Sequence, residues 1–142
     1  MRWKYCRRMK SALFTAAVVT LSDKGAAGER KDESGPVIAD MLRDAGYEIK
    51  ETLLLPDGME PLTQELIRLA DQRQVDVIFT TGGTGFSPRD VTPEATIAVC
   101  DRMADGIADG IRNYSMGIHK ACHVQPGSIR TPEKDPDRQS AG

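Results

Sequence analysis

Residues 75–81 limit the possible folds of this chain more than any other segment. They form a β-branched, apolar run that is broken only by Asp76 and leads directly into the turn Gly82-Gly83-Thr84-Gly85. Continuous apolar runs of this kind are typical of strands that are buried on both faces of a parallel sheet. The sequence therefore predicts a parallel sheet with a glycine-rich loop after one of its strands.

Two further strands are predicted upstream of this run. The β-branched residues 18–21 indicate a buried strand, and the mixed residues 47–55 indicate a second one that ends at the turn Pro56-Asp57-Gly58. Residues 22–33 are rich in charge and glycine, which favours a loop without regular structure.

Helix patterns separate the predicted strands. Ser34 and Pro36 are suited to the cap and first turn of a helix that ends at Gly46, and Thr92-Pro93 offers a similar start further along the chain. A third apolar periodicity lies at residues 62–70. Because strands alternate with helices, we predict an α/β fold with three layers, in which a mostly parallel sheet carries helices on both faces.

The length of 142 residues suits one domain, and the net charge of −2 gives no general attraction to nucleic acid or to an anionic membrane. The basic start followed by apolar residues imitates an export signal, but the apolar part fits the first strand better. We therefore predict a cytoplasmic protein with an extension over residues 1–10 and an incomplete α/β domain over 11–118. Residues 119–142, rich in proline and poor in large apolar side chains, are predicted to be a divergent, disordered tail.

The glycine-rich turn is the first candidate for chemistry. Backbone N–H groups of such a turn, at the carboxyl end of a parallel strand, can approach an anion closely. Asp57 and Asp90 follow two of the strands and could supply the carboxylates that Mg²⁺ takes beside phosphates. The same residues also fit a structural interpretation, in which the glycines permit a turn and the aspartates belong to a turn and a helix start.

The string T-T-G-G-T-G-F-S-P-R-D-V-T-P-E at residues 80–94 resembles the signature of the molybdopterin-binding family, and specifically its molybdopterin adenylyltransferase branch. Residues 18–25, 32–36 and 54–57 resemble earlier blocks of that family in the same order. The resemblance covers most of the chain.

The resemblance implies a compact α/β domain that usually forms a homotrimer. It also implies transfer of AMP from Mg-ATP to the terminal phosphate of molybdopterin, with release of pyrophosphate. Asp57 and Asp90 match the family's two acidic site residues and are the candidate Mg²⁺ ligands. The residues that the resemblance places around the substrates and their phosphates are Ser22, Asp23, Thr81, Gly82, Gly83, Thr84, Gly85 and Ser87. Arg89 fits two roles equally, contact with a phosphate or pairing with a carboxylate.

The resemblance breaks near Ile118, where the family continues with a helix, a strand and a second substrate loop. Codons for residues 119–142, when read one nucleotide later, can spell a segment that ends in the family's Ile-Val-Asn-Leu-Pro-Gly. We therefore hypothesise a frameshift, which the coding DNA tests directly. As written, the chain is expected to be poorly stable and weakly active or inactive. The alternatives to an enzyme are a molybdopterin-binding module without catalysis and an inactive truncated homologue.

Overall fold

The computed structural model describes residues 13–83 and 88–118, together with the backbone of residues 128–129. A parallel sheet with the strand order β2-β1-β3 forms the centre of the fold. Its strands are β1 (Thr15–Leu21), β2 (Glu48–Leu55) and β3 (Val77–Thr81). A separate antiparallel pair joins β4 (Arg102–Met103) and β5 (Ser128–Ile129).

Five α-helices occur within the described residues: α1 (Asp23–Ala26), α2 (Ser34–Asp44), α3 (Met59–Ile67), α4 (Thr92–Val99) and α5 (Asp105–Ile118). A π-helical turn over Arg68–Gln72 extends α3 toward β3. None of the helices in this part of the chain is long and apolar enough to cross a membrane.

The central strand β1 separates two apolar clusters. Side chains alternate between the two faces of a strand, so successive residues of β1 contribute to different layers. On one face Ala17, Val19 and Leu21 pack with the buried side chains of α3, the π-helical turn and α4, which are Leu62, Leu66, Leu69, Ala95 and Val99. On the other face Ala16 and Val18 pack with Ala39 and Leu42 of α2. The predicted sheet with helices on both faces is confirmed.

The prediction of a buried strand is correct for β1, whereas the prediction that β3 is buried on both faces is wrong. In β3 the side chains are half-buried, and Phe79 is exposed. Because β3 pairs only with β1 among the described residues, it forms one edge of the sheet, and an edge strand is less covered than a central one.

The loop predicted at residues 22–33 contains one turn of helix, α1. The Ser22 hydroxyl accepts a hydrogen bond from the Gly25 N–H at 3.1 Å, which is the contact of a helix N-cap. The predicted cap of α2 is also corrected, because Ser34 is the first helical residue. Glu33 occupies the N-cap position without a side-chain bond, and Asp32 supplies the capping bonds, because its Oδ1 accepts hydrogen bonds from the N–H groups of Ser34 and Gly35, both at 3.1 Å.

The strand order places a topological switch point between β1 and β3. From β1 the chain passes through α2 to β2 on one side, then returns through α3 to β3 on the other side of β1. In open α/β sheets, ligands bind in the crevice outside the carboxyl ends of the strands at such a point. The crevice here is bordered by the residues that follow Leu21 and Thr81.

An ion-pair cluster ties β2 to the π-helical turn. Arg68 donates from Nη1 and Nη2 to the two carboxylate oxygens of Glu51 at 3.1 and 2.5 Å, and Arg73 Nε donates to Glu51 Oε1 at 2.5 Å. Hydrogen bonds from Arg68 and then Arg73 lower the pKa of Glu51 from 4.5 to about 2. Because the folded-state pKa is depressed, the stabilisation is present above pH 4.5 and is lost as the pH falls toward 2.

We therefore expect Glu51→Gln to lower the free energy of unfolding at pH 7 and to weaken its decline between pH 5 and pH 3. Urea denaturation across this pH range measures both effects. Glu48→Gln is the matched control, since Glu48 lies on the same strand and pairs with Lys50 at an exposed position. If the free energy of unfolding depends on pH in the same way in both variants, the ion pairs of Glu51 do not stabilise the fold more than an exposed ion pair does.

Candidate functional site

A short segment follows each strand of the sheet and borders the crevice. Ser22-Asp23 follows β1, Pro56-Asp57 follows β2, and Gly82-Gly83 follows β3. Parallel strands end at the same edge of a sheet, and a hydrogen bond from the Ser22 N–H to the Leu55 carbonyl at 2.9 Å joins the first two segments. The structure thus brings together three of the segments that the sequence singled out.

Asp23 and Asp57 hold each other in place through reciprocal hydrogen bonds. The Asp23 N–H donates to Asp57 Oδ2 at 3.0 Å, and the Asp57 N–H donates to Asp23 Oδ1 at 3.0 Å. Each carboxylate is therefore bound to the backbone of the neighbouring strand end. This arrangement fixes both side chains before any ligand arrives.

The second carboxylate oxygen of Asp57 is buried without a hydrogen-bond partner. Among the described residues, Asp57 Oδ1 is one of two buried side-chain oxygens in this condition; the other is Oγ1 of Thr20, near the end of β1. Leaving a buried acceptor unsatisfied costs about 1–3 kcal/mol, and more for a charged group. Such an oxygen fits a bound cation, because a cation would supply the missing partner.

Gly82 and Gly83 adopt a backbone that other residues rarely take. Their φ angles are +87° and +59°, in the left-handed region. A Cβ on Gly82 would lie 2.1 Å from the carbonyl oxygen of Leu21, so the loop packs directly against the backbone of β1. A Cβ on Gly83 would lie 3.4 Å from Asp57 Oδ1. The glycine loop therefore lies beside the unpartnered oxygen of Asp57.

Thr92, the first residue of α4, is attached to the same loop. Its hydroxyl donates to the Gly82 carbonyl at 3.0 Å, and its N–H donates to the Gly83 carbonyl at 3.3 Å. The sequence assigned this residue only to the start of a helix. Val91 is the N-cap of α4 and makes no side-chain bond, and the Thr92 hydroxyl bonds to the loop.

Arg89 lies at the mouth of the crevice and pairs with a carboxylate. Its Nη2 is 3.2 Å from both Oδ1 and Oδ2 of Asp23, and 3.3 Å from the Asp57 carbonyl. Two-thirds of the arginine side chain, 67%, is exposed to solvent. Of the two roles left open by the sequence, the structure displays the pairing with a carboxylate.

The other predicted site residues are distributed as follows. Ser22 caps α1, Thr81 ends β3 as the register partner of Thr20, and Asp90 lies half-buried two residues before α4. Thr84, Gly85 and Ser87 lie outside the described residues. Within the described ranges no group of three or more His, Cys, Asp or Glu side chains could hold a metal by itself. Mg²⁺ needs fewer protein ligands than this when phosphates complete its shell.

A comparison with known families matches residues 17–135 to a domain described as "Probable molybdopterin binding domain". The chain belongs to this molybdopterin-binding family. The match extends past Ile118, into the segment where the sequence predicts a departure from the family.

Relatives within the family include molybdopterin adenylyltransferases. The one from Haemophilus influenzae is 37% identical over 108 residues, which are 75% of this chain and 55% of that protein. The one from Escherichia coli is 37% identical over 102 residues, 70% of this chain and 52% of that protein. The chain thus spans about half the length of these relatives.

A solved structure of this family has the same fold. The molybdopterin biosynthesis enzyme MoaB from Thermus thermophilus superposes with a TM-score of 0.73 at 35% identity, covering 83% of this chain and 76% of that chain. The parallel sheet and its flanking helices are therefore those of a molybdopterin-binding domain.

Proposed function

We propose that this protein acts in molybdenum cofactor biosynthesis by transferring AMP from Mg-ATP to molybdopterin, giving adenylyl-molybdopterin and pyrophosphate. The observation that carries the proposal is the unpartnered Asp57 Oδ1 beside the left-handed Gly82-Gly83 turn, at the switch point of a molybdopterin-binding domain. An anion-binding backbone and a carboxylate that lacks a partner are what a metal-bound triphosphate requires.

The transfer is a displacement at the α-phosphorus of ATP. An oxygen of the molybdopterin phosphate forms a new bond to this phosphorus, while the bond from the α-phosphorus to the oxygen bridging to the β-phosphate breaks. Pyrophosphate leaves with that oxygen and its electron pair. No protein nucleophile takes part, so the task of the chain is to position the two substrates and to stabilise charge.

A few residues supply these functions in the proposal. The Gly82-Gly83 backbone would bind phosphate oxygens, and Asp57 and Asp90 would hold Mg²⁺, which would supply positive charge to the triphosphate. Asp23 keeps Asp57 in position through the reciprocal hydrogen bonds. The remaining assigned residues, Ser22, Thr81, Thr84, Gly85 and Ser87, border the substrates by resemblance to the family.

We also propose from the resemblance that the protein forms homotrimers when its fold is complete. Support comes from the apolar face of α5, where Ile107, Ile111, Tyr114 and Ile118 follow helical spacing and are exposed. Exposed apolar surfaces of this kind often mark sites of association. Light scattering coupled to size exclusion measures the state, and a monomer at all concentrations would count against it.

Pyrophosphate release tests the proposal against the alternative of a binding module. We expect release only when ATP, Mg²⁺ and molybdopterin are all present, and loss of release on chelation by EDTA with recovery on adding Mg²⁺. A module without catalysis would bind molybdopterin and release no pyrophosphate. Release from ATP without molybdopterin would indicate a different reaction.

A further inference from the structure

We infer that Thr92 is a positioning residue for the transfer, which aims the Gly83 N–H at a phosphate oxygen. The identity of the bound phosphate rests on the proposed function. The contacts between Thr92 and the loop do not depend on which reaction the protein catalyses. Thr92 is 3% exposed, so its hydrogen bonds to the loop are shielded from water.

The two hydrogen bonds from Thr92 fix the orientation of the loop peptides. The Oγ1 hydroxyl donates to the Gly82 carbonyl at 3.0 Å, while the N–H donates to the Gly83 carbonyl at 3.3 Å. In a trans peptide the carbonyl of one residue and the N–H of the next point in opposite directions. Holding the Gly82 carbonyl toward Thr92 therefore turns the Gly83 N–H away from it.

Within the described part of the chain, the Gly83 N–H donates to no protein acceptor, which leaves it open to a ligand there. Its backbone bond to another described residue is made by the carbonyl of Gly83, which accepts a hydrogen bond from the Thr92 N–H. Backbone donors that are left without a protein partner next to a left-handed turn are suited to anions. The neighbouring Gly82 also has a left-handed backbone conformation, with φ of +87°. The loop thus presents a donor, and Thr92 sets its direction.

The Thr92 hydroxyl packs so closely against the loop that only glycine fits at position 83. A Cβ on Gly83 would lie 2.3 Å from Thr92 Oγ1, so the hydroxyl occupies the space that any larger residue would need. The Thr96 hydroxyl bonds within α4 instead, since its Oγ1 donates to the Thr92 carbonyl at 2.7 Å. Thr96→Val is therefore a matched control that removes a hydroxyl from the same helix and spares the loop.

The test is a titration of the ¹⁵N-labelled full chain with inorganic pyrophosphate, followed by the amide resonance of Gly83. In the wild-type protein we expect this resonance to move and saturate. Thr92→Val, which keeps the shape and loses the hydroxyl, should weaken pyrophosphate binding by up to about tenfold, the size of one neutral intramolecular hydrogen bond. Thr92→Ser should bind within about threefold of wild type, and Thr96→Val should be unchanged, since both keep the loop contact.

If the Gly83 amide resonance of the wild-type protein does not shift on addition of pyrophosphate, the inference is overturned, even if Thr92→Val fails to fold. Equal affinities of Thr92→Val and Thr96→Val would also overturn it. If pyrophosphate binding depends on the Thr92 hydroxyl while wild type releases no pyrophosphate from ATP and molybdopterin, the positioning role stands and the proposed reaction fails. For an active protein, Thr92→Val should raise the KM for ATP more than it lowers kcat, with recovery in Thr92→Ser.

Discussion

Replacing Asp57 with asparagine is expected to slow adenylyl transfer at least about 100-fold, the range found when a charge-stabilising group is removed from an active site. The amide keeps the size of the side chain and one oxygen, so it can still accept the Asp23 N–H, which now bonds to Asp57 Oδ2 at 3.0 Å. What it loses is the negative charge at the buried, unpartnered Oδ1. If that oxygen holds the metal of Mg-ATP, the loss acts on the transferred phosphorus.

Single-turnover transfer by wild type and Asp57→Asn measures the effect, with the melting temperature showing that the variant is folded. Asp44→Asn is the control, because Asp44 is the exposed last residue of α2, away from the carboxyl ends of the strands. We expect the control to transfer at the wild-type rate. An Asp57→Asn protein that is folded and equally fast would remove Asp57 from the site.

Gly82→Ala is expected to destabilise the fold by about 3 kcal/mol or more, through the combined costs of a left-handed residue and an overpacked contact. The new Cβ would lie 2.1 Å from the carbonyl oxygen of Leu21, which belongs to the backbone of the central strand and cannot turn aside as a side chain does. Relief requires the glycine loop or β1 to move. The same movement would displace the Gly83 donor.

Gly46→Ala separates the cost of a left-handed backbone from the cost of an overpacked contact. Gly46 has φ of +90°, almost the same as Gly82, but nothing lies within 4 Å of its Cβ position. Its substitution should therefore cost only about 1–2 kcal/mol, for the left-handed backbone alone. Chemical denaturation of both variants gives the difference. If the two glycines behave alike, the close packing of the loop on β1 is not a feature of the folded protein.

The parts of the fold that follow from local patterns were predictable. Buried β-branched runs identify β1 and the start of the glycine loop, and Asp57 was a candidate because it follows a strand in a parallel sheet. The pairing of its backbone with Asp23 was not predictable, since it depends on the register of β1 against β2. The burial of β3 was overestimated, because the sequence of a strand does not reveal how many strands flank it.

Other features depend on contacts that distant residues make. The hydroxyl of Thr92 has the sequence context of a helix cap, and only the approach of Gly82 shows that it bonds to the loop. The role of Asp32 as the cap of α2 could have been suspected from its place two residues before Ser34. α5 was not predicted, although the spacing of Ile107, Ile111 and Tyr114 is a helical signal.

The predictions for residues 1–10 and for the disorder of residues 119–142 fall almost entirely outside the described residues, and the frameshift remains a hypothesis about the gene. Sequencing the DNA beyond the codon for Ile118 tests it. If the frame shifted by one nucleotide does not encode Asn-Leu-Pro-Gly after an apolar segment, the hypothesis is wrong.

The central claim is that the crevice between β1 and β3 carries adenylyl transfer to molybdopterin. The most direct measurement follows ATP labelled at the α-phosphorus under single-turnover conditions, with the 142-residue protein in excess so that slow transfer is detected. Because the chain is expected to be weakly active, we predict that the label appears slowly on molybdopterin, in a reaction that requires Mg²⁺ and Asp57. Label that stays in ATP while the folded protein binds both substrates would contradict this claim.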